Sequence, residues 1–211
     1  MDTVGDSGSR NRAPFRMILR VDAMRLICIY LLAFLLLPLA VGQIYTPKAG
    51  EVVLKVEIVG RGNVYIRLHP KEAPKTVTHI LALVKSGFYN GQRFHKVARN
   101  PKPYLVQIGD PASKTGDIDD AGGSGTGARI PYEDTGFKNV VGAVGLVRNL
   151  DDMDSGDSQF YMLLDKSNFL DGNYTVFGQV VVGLDVLKKI QKGDRVLAIT
   201  ILRAAPPGPP R

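Results

Sequence analysis

VVLKVEIVGRGNVYIRL, residues 52–68, is the stretch from which the fold can be read. Val52–Val59 and Val64–Leu68 are rich in β-branched residues, and Gly60-Arg61-Gly62-Asn63 between them is a hairpin signature, so two paired antiparallel strands are predicted. The period then changes. Pro74 opens a helical pattern with Val77, Ile80, Leu81 and Val84 at i, i+3, i+4 and i+7, and Gly87 stands just beyond its end. Short apolar or alternating stretches follow at Arg93–Val97, Tyr104–Ile108, Val140–Val147, Gln159–Leu164 and Thr175–Val182, separated by Gly, Asp, Asn and Pro, and read as strands. Leu184, Leu187 and Ile190 mark a second short helix between Gly183 and Gly193, and Val196–Leu202 is a last strand. So many strands with so few helices exclude an alternating βαβ sheet. The pattern predicts a mainly β fold, a closed eight-stranded antiparallel barrel capped by two α-helices, because closure removes exposed edges. Side chains fill the interior of so small a barrel, which leaves the outer surface and the loops for a working site.

The chain of 211 residues is 45% apolar and 22% charged, ordinary for one globular domain. Its 27 Lys+Arg against 20 Asp+Glu are spread along the sequence without the clustered basic stripe that tracks a phosphate backbone, which argues against nucleic acid as a partner. Cys28 is the only cysteine, and it lies in the N-terminal apolar run. The rest of the chain therefore has no thiol for a disulfide, a metal site or a nucleophile. His69, His79 and His95 are too scattered for metal-ligand spacing, and no metal is expected.

Arg10, Arg12, Arg16, Arg20 and Arg25 precede LICIYLLAFLLLPLAVG, residues 26–42, a run without a charge, as in a secretory signal. As a helix this run would reach only about 25 Å, short of a hydrocarbon core of about 30 Å, and Pro38 favours a break. Ala40 and Gly42 have the spacing of small residues that signal peptidase requires, which gives a mature chain starting at Gln43; the alternative is an uncleaved anchor through residues 26–42. Either way the protein is expected to be exported, periplasmic or secreted, with the membrane as partner only through an uncleaved leader. Met17 or Met24 is an alternative start, since the sequence from Met24 reads as a signal by itself. The organisation is then a leader at 1–42, a linker at 43–50, a domain at 51–203 and a proline-rich tail, AAPPGPPR, at 204–211, with both ends read as loose.

Within residues 51–203, several motifs occur together in one order. They are APKTV (73–77), SGFYNG (86–91), FHKV (94–97), VQIGD (106–110), GTG (125–127), SQFY (158–161) and LDGNYTVFG (170–178). In this the chain resembles the cyclophilin family over about 150 residues. The resemblance implies a cyclophilin-like barrel and peptidyl-prolyl cis-trans isomerase activity on proline-containing polypeptides, without a cofactor. A monomer is expected. By the same resemblance Lys96 stands where the family's motif carries a catalytic arginine, and Phe94, Tyr104, Leu105, Gln107, Tyr161, Phe169, Leu170 and Tyr174 stand at substrate-binding positions. Asn100-Pro101-Lys102-Pro103 lengthens the segment after the lysine strand.

The implied chemistry is rotation about an X-Pro bond, against a barrier of roughly 18–20 kcal/mol. It needs an apolar pocket for the ring, a donor aimed at the prolyl nitrogen and contacts that hold the flanking peptide. Lysine keeps the charge of arginine but not its planar fork. Two readings follow: an isomerase of reduced activity that assists the folding of exported proteins, or a non-catalytic module that binds proline peptides. Taken singly, Phe94, Leu105, Tyr161 and Leu170 would also serve as core residues of any barrel.

Asp151-Asp152-Met153-Asp154-Ser155-Gly156-Asp157 resembles a calcium loop, but position twelve counted from Asp152 is Leu163 instead of glutamate, so a turn is predicted. Its four aspartates would favour basic residues flanking the proline. Gly122–Gly127 lacks the strand and helix of a phosphate loop and reads as a flexible rim of the peptide groove, and Asn173-Tyr174-Thr175 matches an N-glycosylation pattern where the pocket wall is expected.

Overall fold

A computed structural model describes residues 44–100, 102 and 104–204. The apolar leader, Gln43 and the tail from residue 205 onward lie outside the described residues, and with them the expectations of cleavage or anchoring. The strands are β1 (Val52–Ile58), β2 (Gly62–Leu68), β3 (Lys96–Ala98), β4 (Leu105–Ile108), β5 (Ala143–Leu146), β6 (Phe160–Leu163), β7 (Val176–Val182) and β8 (Val196–Arg203). Among the described residues two α-helices accompany them, α1 (Pro74–Lys85) and α2 (Leu184–Lys188). All strands pair antiparallel in the order β3-β4-β6-β5-β7-β2-β1-β8. The expected hairpin forms where the sequence places it. Ile58 pairs with Gly62, Arg61 N–H donates to Ile58 O at 3.1 Å, and the turn passes through Gly60 at φ 69°.

The expected closed barrel is corrected to an open, curled sheet. β3 and β8 are its two edges and share no ladder. What spans the gap is the segment before β3: Phe94 N–H donates to Asp194 O, Gly193 N–H to Phe94 O and Val196 N–H to Gln92 O, with one bridge between Arg93 and Arg195. These bonds also explain why β3 is shorter than the Arg93–Val97 strand that the sequence suggests. Residues 92–94 direct their backbone groups across the gap, and only Lys96–Ala98 remain to pair with β4.

The concave face of the sheet holds one apolar core that includes Leu54, Val56, Ile66, Val106, Val144, Phe160, Met162 and Phe177. α1 adds Val77, Ile80 and Val84 to it, and α2 adds Leu187, at the spacings that the sequence shows. Within the linker, Tyr45 is attached to the domain. Tyr45 lies 6.2 Å from the Tyr65 ring and donates its hydroxyl to Glu51 at 2.7 Å. No helix among the described residues is long and apolar enough to cross a membrane.

α1 begins without a side-chain cap of its own, because Ala73 occupies the N-cap. Glu133, from a distant loop, supplies one. Its carboxylate accepts Lys75 N–H and Thr76 N–H, both at 2.9 Å, and the Thr76 hydroxyl at 2.7 Å. An anion at a helix N-terminus also meets the positive end of the helix dipole. Glu133→Ala is expected to lower unfolding free energy by about 1–2 kcal/mol, measured by urea denaturation; an unchanged midpoint would show that water replaces the cap at no cost.

Candidate active site

Alternation along β4, β6 and β5 gives the sheet two working faces. Val106, Met162 and Val144 are register partners, and all three enter the inner core. Their neighbours point outward. Lys96 pairs with Gln107, Gln107 with Tyr161, and Tyr161 with Gly145, so one row crosses four strands on the outer face. Beside it the Leu105–Leu163 pair continues the same face. Leu105, Ala143, Tyr161, Leu163, Leu170 and Val176 form a second apolar cluster, separate from the core, with Tyr104, Val147 and Tyr174 packed against it.

Most of the residues singled out by the sequence meet here. Tyr104, Leu105, Tyr161, Leu170 and Tyr174 belong to the cluster, and Phe169 stands at its rim, 70% exposed, with its ring edge-on to Tyr104 at 6.4 Å. Gln107 is buried at the centre of the row, and Lys96 is exposed at its end. Phe94 is the exception and is corrected. It is fully buried in the inner core, because its backbone bonds across the gap to Asp194 and Gly193 and turns the ring inward. It supports β3 from beneath and has no surface on the groove.

Residues with less conspicuous sequence signals fix these groups. The Tyr161 hydroxyl donates to Asn139 Oδ1 at 2.5 Å, and Asn139 donates from its backbone and side-chain nitrogens to Asp171 Oδ1. Burial pushes the Tyr161 phenol far above its ordinary range, so it stays a neutral donor. Gly145 makes room for that ring: a Cβ there would overlap the phenol, so only glycine leaves Tyr161 flat across the sheet. Gln107 Nε2 donates to Gln159 Oε1 at 2.8 Å, and Gln159 Nε2 donates to Gly122 O at 3.0 Å and Ser124 O at 2.8 Å. That loop is tied in turn to Asp110, whose buried carboxylate accepts Gly122 N–H at 2.5 Å, Ser124 N–H at 3.0 Å and Ala112 N–H at 2.7 Å. Burial alone would raise the carboxyl pKa; the backbone donors outweigh it and hold Asp110 below the ordinary value. Gln159 was visible in the SQFY motif and Asp171 in the LDGNYTVFG motif, whereas Asn139 lies in a loop without a periodic pattern.

The glycine-rich segment is therefore a held rim. With Val147, Arg148, Asn149 and Asp157 it encloses a cavity of ≈ 470 Å³ next to Gln159. The acidic loop folds as turns, and its carboxylates are mostly engaged internally. Asp152 binds Arg129 at 2.6 Å, Asp154 accepts Tyr132 N–H at 2.9 Å, and Asp157 accepts Thr126 N–H and Gly127 N–H at 2.6 and 2.9 Å. The cavity wall carries Arg129 and Arg148 together with Asp157, so it presents charges of both signs. The segment after β3 is pinned by Arg99 on Ile190 O and Lys102 on Asp165. No group of three or more potential metal ligands occurs among the described residues.

His95, between Phe94 and Lys96, is buried with neither ring nitrogen hydrogen-bonded. Burial lowers its pKa below the ordinary histidine value; Asp110 and the neighbouring Gln159 side chain, which lies short of hydrogen-bond geometry, oppose this, and Lys96 and Lys192 add to it. The unfolded chain therefore takes up the imidazole proton at a higher pH than the fold does. Stability is complete above the ordinary histidine value and falls as pH drops through it toward the folded value. His95→Gln is expected to flatten the decline in unfolding free energy between about pH 7.5 and about pH 5, measured by denaturant titration; an identical slope in both proteins would assign it elsewhere, His69 being the other histidine lowered by burial.

Comparison with known proteins agrees with this geometry. The family model described as cyclophilin type peptidyl-prolyl cis-trans isomerase/CLD matches residues 53–205. A Brucella suis protein named "Probable peptidyl-prolyl cis-trans isomerase" is 38% identical over 167 residues, covering 74% of this chain and 81% of its own length. The Helicobacter pylori protein named peptidyl-prolyl cis-trans isomerase is 34% identical, covering 66% of this chain and 80% of its own. Among solved structures, a cyclophilin type peptidyl-prolyl cis-trans isomerase of Cryptosporidium parvum superposes with TM-score 0.60 at 22% identity, over 74% of this chain and 99% of that one, a likeness of fold. With a core and an outer apolar cluster laid out as described and a family match across the whole sheet, this chain belongs to the cyclophilin-type peptidyl-prolyl cis-trans isomerases.

Proposed function

We propose that the outer cluster of Tyr104, Leu105, Tyr161, Leu170 and Tyr174, with Phe169 at its rim, receives the prolyl ring of a proline-containing polypeptide. In this reading Gln107 binds the flanking backbone and Lys96 is the donor that acts on the prolyl nitrogen. The carrying observation is the row Lys96–Gln107–Tyr161, which joins an exposed cation to an apolar cluster on one face of the sheet. A Cryptosporidium parvum cyclophilin has been solved in the presence of the dipeptide Ala-Pro, which supports a ligand of this class.

The chemistry asks only for a change in electron distribution. In the twisted amide the nitrogen lone pair leaves conjugation, and a cationic donor stabilises it there and not in the planar ground state. Such differential binding lowers the barrier without a covalent step. Lys96 is exposed and forms no ion pair among the described residues, so its ammonium is free to turn toward a bound peptide. A single ammonium cannot engage the nitrogen side and the carbonyl side of the bond together as a guanidinium fork can. This supports reduced turnover, and it also favours a second reading in which the groove binds proline peptides without catalysis.

The cis-to-trans rate of an Ala-Pro reporter peptide separates the two. Lys96→Ala is expected to lower kcat/KM about tenfold or more, and Lys96→Arg to raise kcat with little change in peptide affinity. Peptide binding without acceleration by the parent protein would establish the binding module instead.

Export of the protein, and folding assistance to exported chains as its role, are supported by the uncharged run at 26–42 behind five arginines. N-terminal sequencing of protein recovered from the producing cell is expected to begin at Gln43; a retained leader found in the membrane fraction would identify an anchor, and one found in the cytosol would remove export from the proposal.

A further inference from the structure

Arg148 lies two residues beyond β5, half-buried, at the boundary between the ≈ 470 Å³ cavity and the aromatic wall of the pocket. Its Nε donates to Asn173 O at 2.8 Å. Its Nη1 donates to Asn149 O at 2.7 Å and Leu150 O at 2.5 Å. One guanidinium thus joins two loops that lie more than twenty residues apart in sequence. The carbonyl of Asn173 belongs to the peptide unit immediately before Tyr174, so this bond fixes the plane from which the Tyr174 side chain departs. The same guanidinium carbon lies 5.0 Å from the centroid of the Tyr174 ring, in cation–π range. Across from it Tyr174 meets Tyr161 edge-on, with centroids 5.8 Å apart and planes at 83°. Tyr174 is therefore held from two directions, by a cation bonded to its own backbone and by the ring that Asn139 and Asp171 anchor from below.

A surface arginine that satisfies loop carbonyls is commonly a staple and nothing more. Three features distinguish this one. Its donors converge on two loops beside the cluster, its guanidinium carbon lies over the ring of a cluster side chain, and Tyr174 has no hydrogen bond of its own among the described residues to set the ring. Lysine could not replace it, because one ammonium cannot supply donors from two nitrogens of a rigid plane and also present that plane to an aromatic ring.

From this geometry we infer that Arg148 is a positioning residue of the isomerase: it fixes Tyr174 as the wall of the proline pocket and acts on substrate only through that ring. The inference rests on the reading of the outer cluster as the proline pocket. A wall contact is made alike in the ground state and in the twisted amide, so losing its alignment raises KM and leaves kcat nearly unchanged.

The test is a double-mutant cycle on the full chain, with kcat and KM measured for an Ala-Pro reporter peptide. Arg148→Ala is expected to raise KM about fivefold with kcat within about twofold, and Arg148→Lys to fail to rescue it. In a Tyr174→Ala background, Arg148→Ala is expected to change KM by less than about 1.5-fold, because the ring through which it acts is gone. The chain contains no tryptophan, so Tyr174→Trp creates a sole indole whose fluorescence anisotropy is expected to fall when Arg148→Lys is added. An equal rise in KM with and without Tyr174, or a lowered Tm with unchanged kinetics and anisotropy, would overturn the inference. Tyr174→Ala leaving KM unchanged would instead defeat the pocket reading on which it rests, an outcome that the anisotropy measurement keeps separate from the packing of Arg148 on the ring.

Discussion

Gln107 pairs with Lys96 on one side and with Tyr161 on the other, and a slip of one residue in either ladder would exchange the two faces of the sheet. Val106 and Met162 would then face water, while Gln107 and Tyr161 would enter an apolar core that includes Val144, Phe160 and Phe177. The register is therefore fixed by the core and read out on the groove. The same hydrophobic burial that folds the sheet delivers the lysine, the glutamine and the tyrosine to one row. A site built this way gains precision from rigid strands, and only its rim depends on loops.

Those loops are held by carboxylates. Asp110 gathers Gly122 and Ser124, Asp157 gathers Thr126 and Gly127, Asp171 holds Asn139, and Glu133 caps α1. Each accepts backbone N–H groups from elsewhere in the chain, the strong, charge-assisted form of the hydrogen bond. The acidic residues around the cluster consequently accept hydrogen bonds within the fold, and the cavity beside Gln159 is lined by Arg129 and Arg148 as well as by Asp157. Where negative charge is satisfied matters more to a peptide ligand than how many aspartates a segment contains.

Lys96 and His95 show how neighbouring residues on a strand divide electrostatic work. The side chain of Lys96 is exposed to solvent at the end of the row. His95 points the other way, beneath the Gly122 segment, where burial favours its neutral form. A charged imidazole there would add to the potential at Lys96. A neutral one leaves the lysine as the principal cation of the row.

Much of the fold was legible in the residues: the hairpin at 52–68, the helix that opens at Pro74 and the count of strands follow from local periodicity, and the family resemblance singled out Tyr104, Leu105, Tyr161, Leu170 and Tyr174, which the sheet gathers into one cluster. Local pattern encodes which face of a strand is apolar, and it does so over a few residues. The open seam between β3 and β8, the inward turn of Phe94, the internal engagement of Asp152, Asp154 and Asp157, and the convergence of Asn139, Gln159 and Arg148 on the groove were decided only by tertiary structure. Each depends on which distant backbone group meets a given side chain. That is a property of how the sheet curls, and short-range pattern carries no information about it.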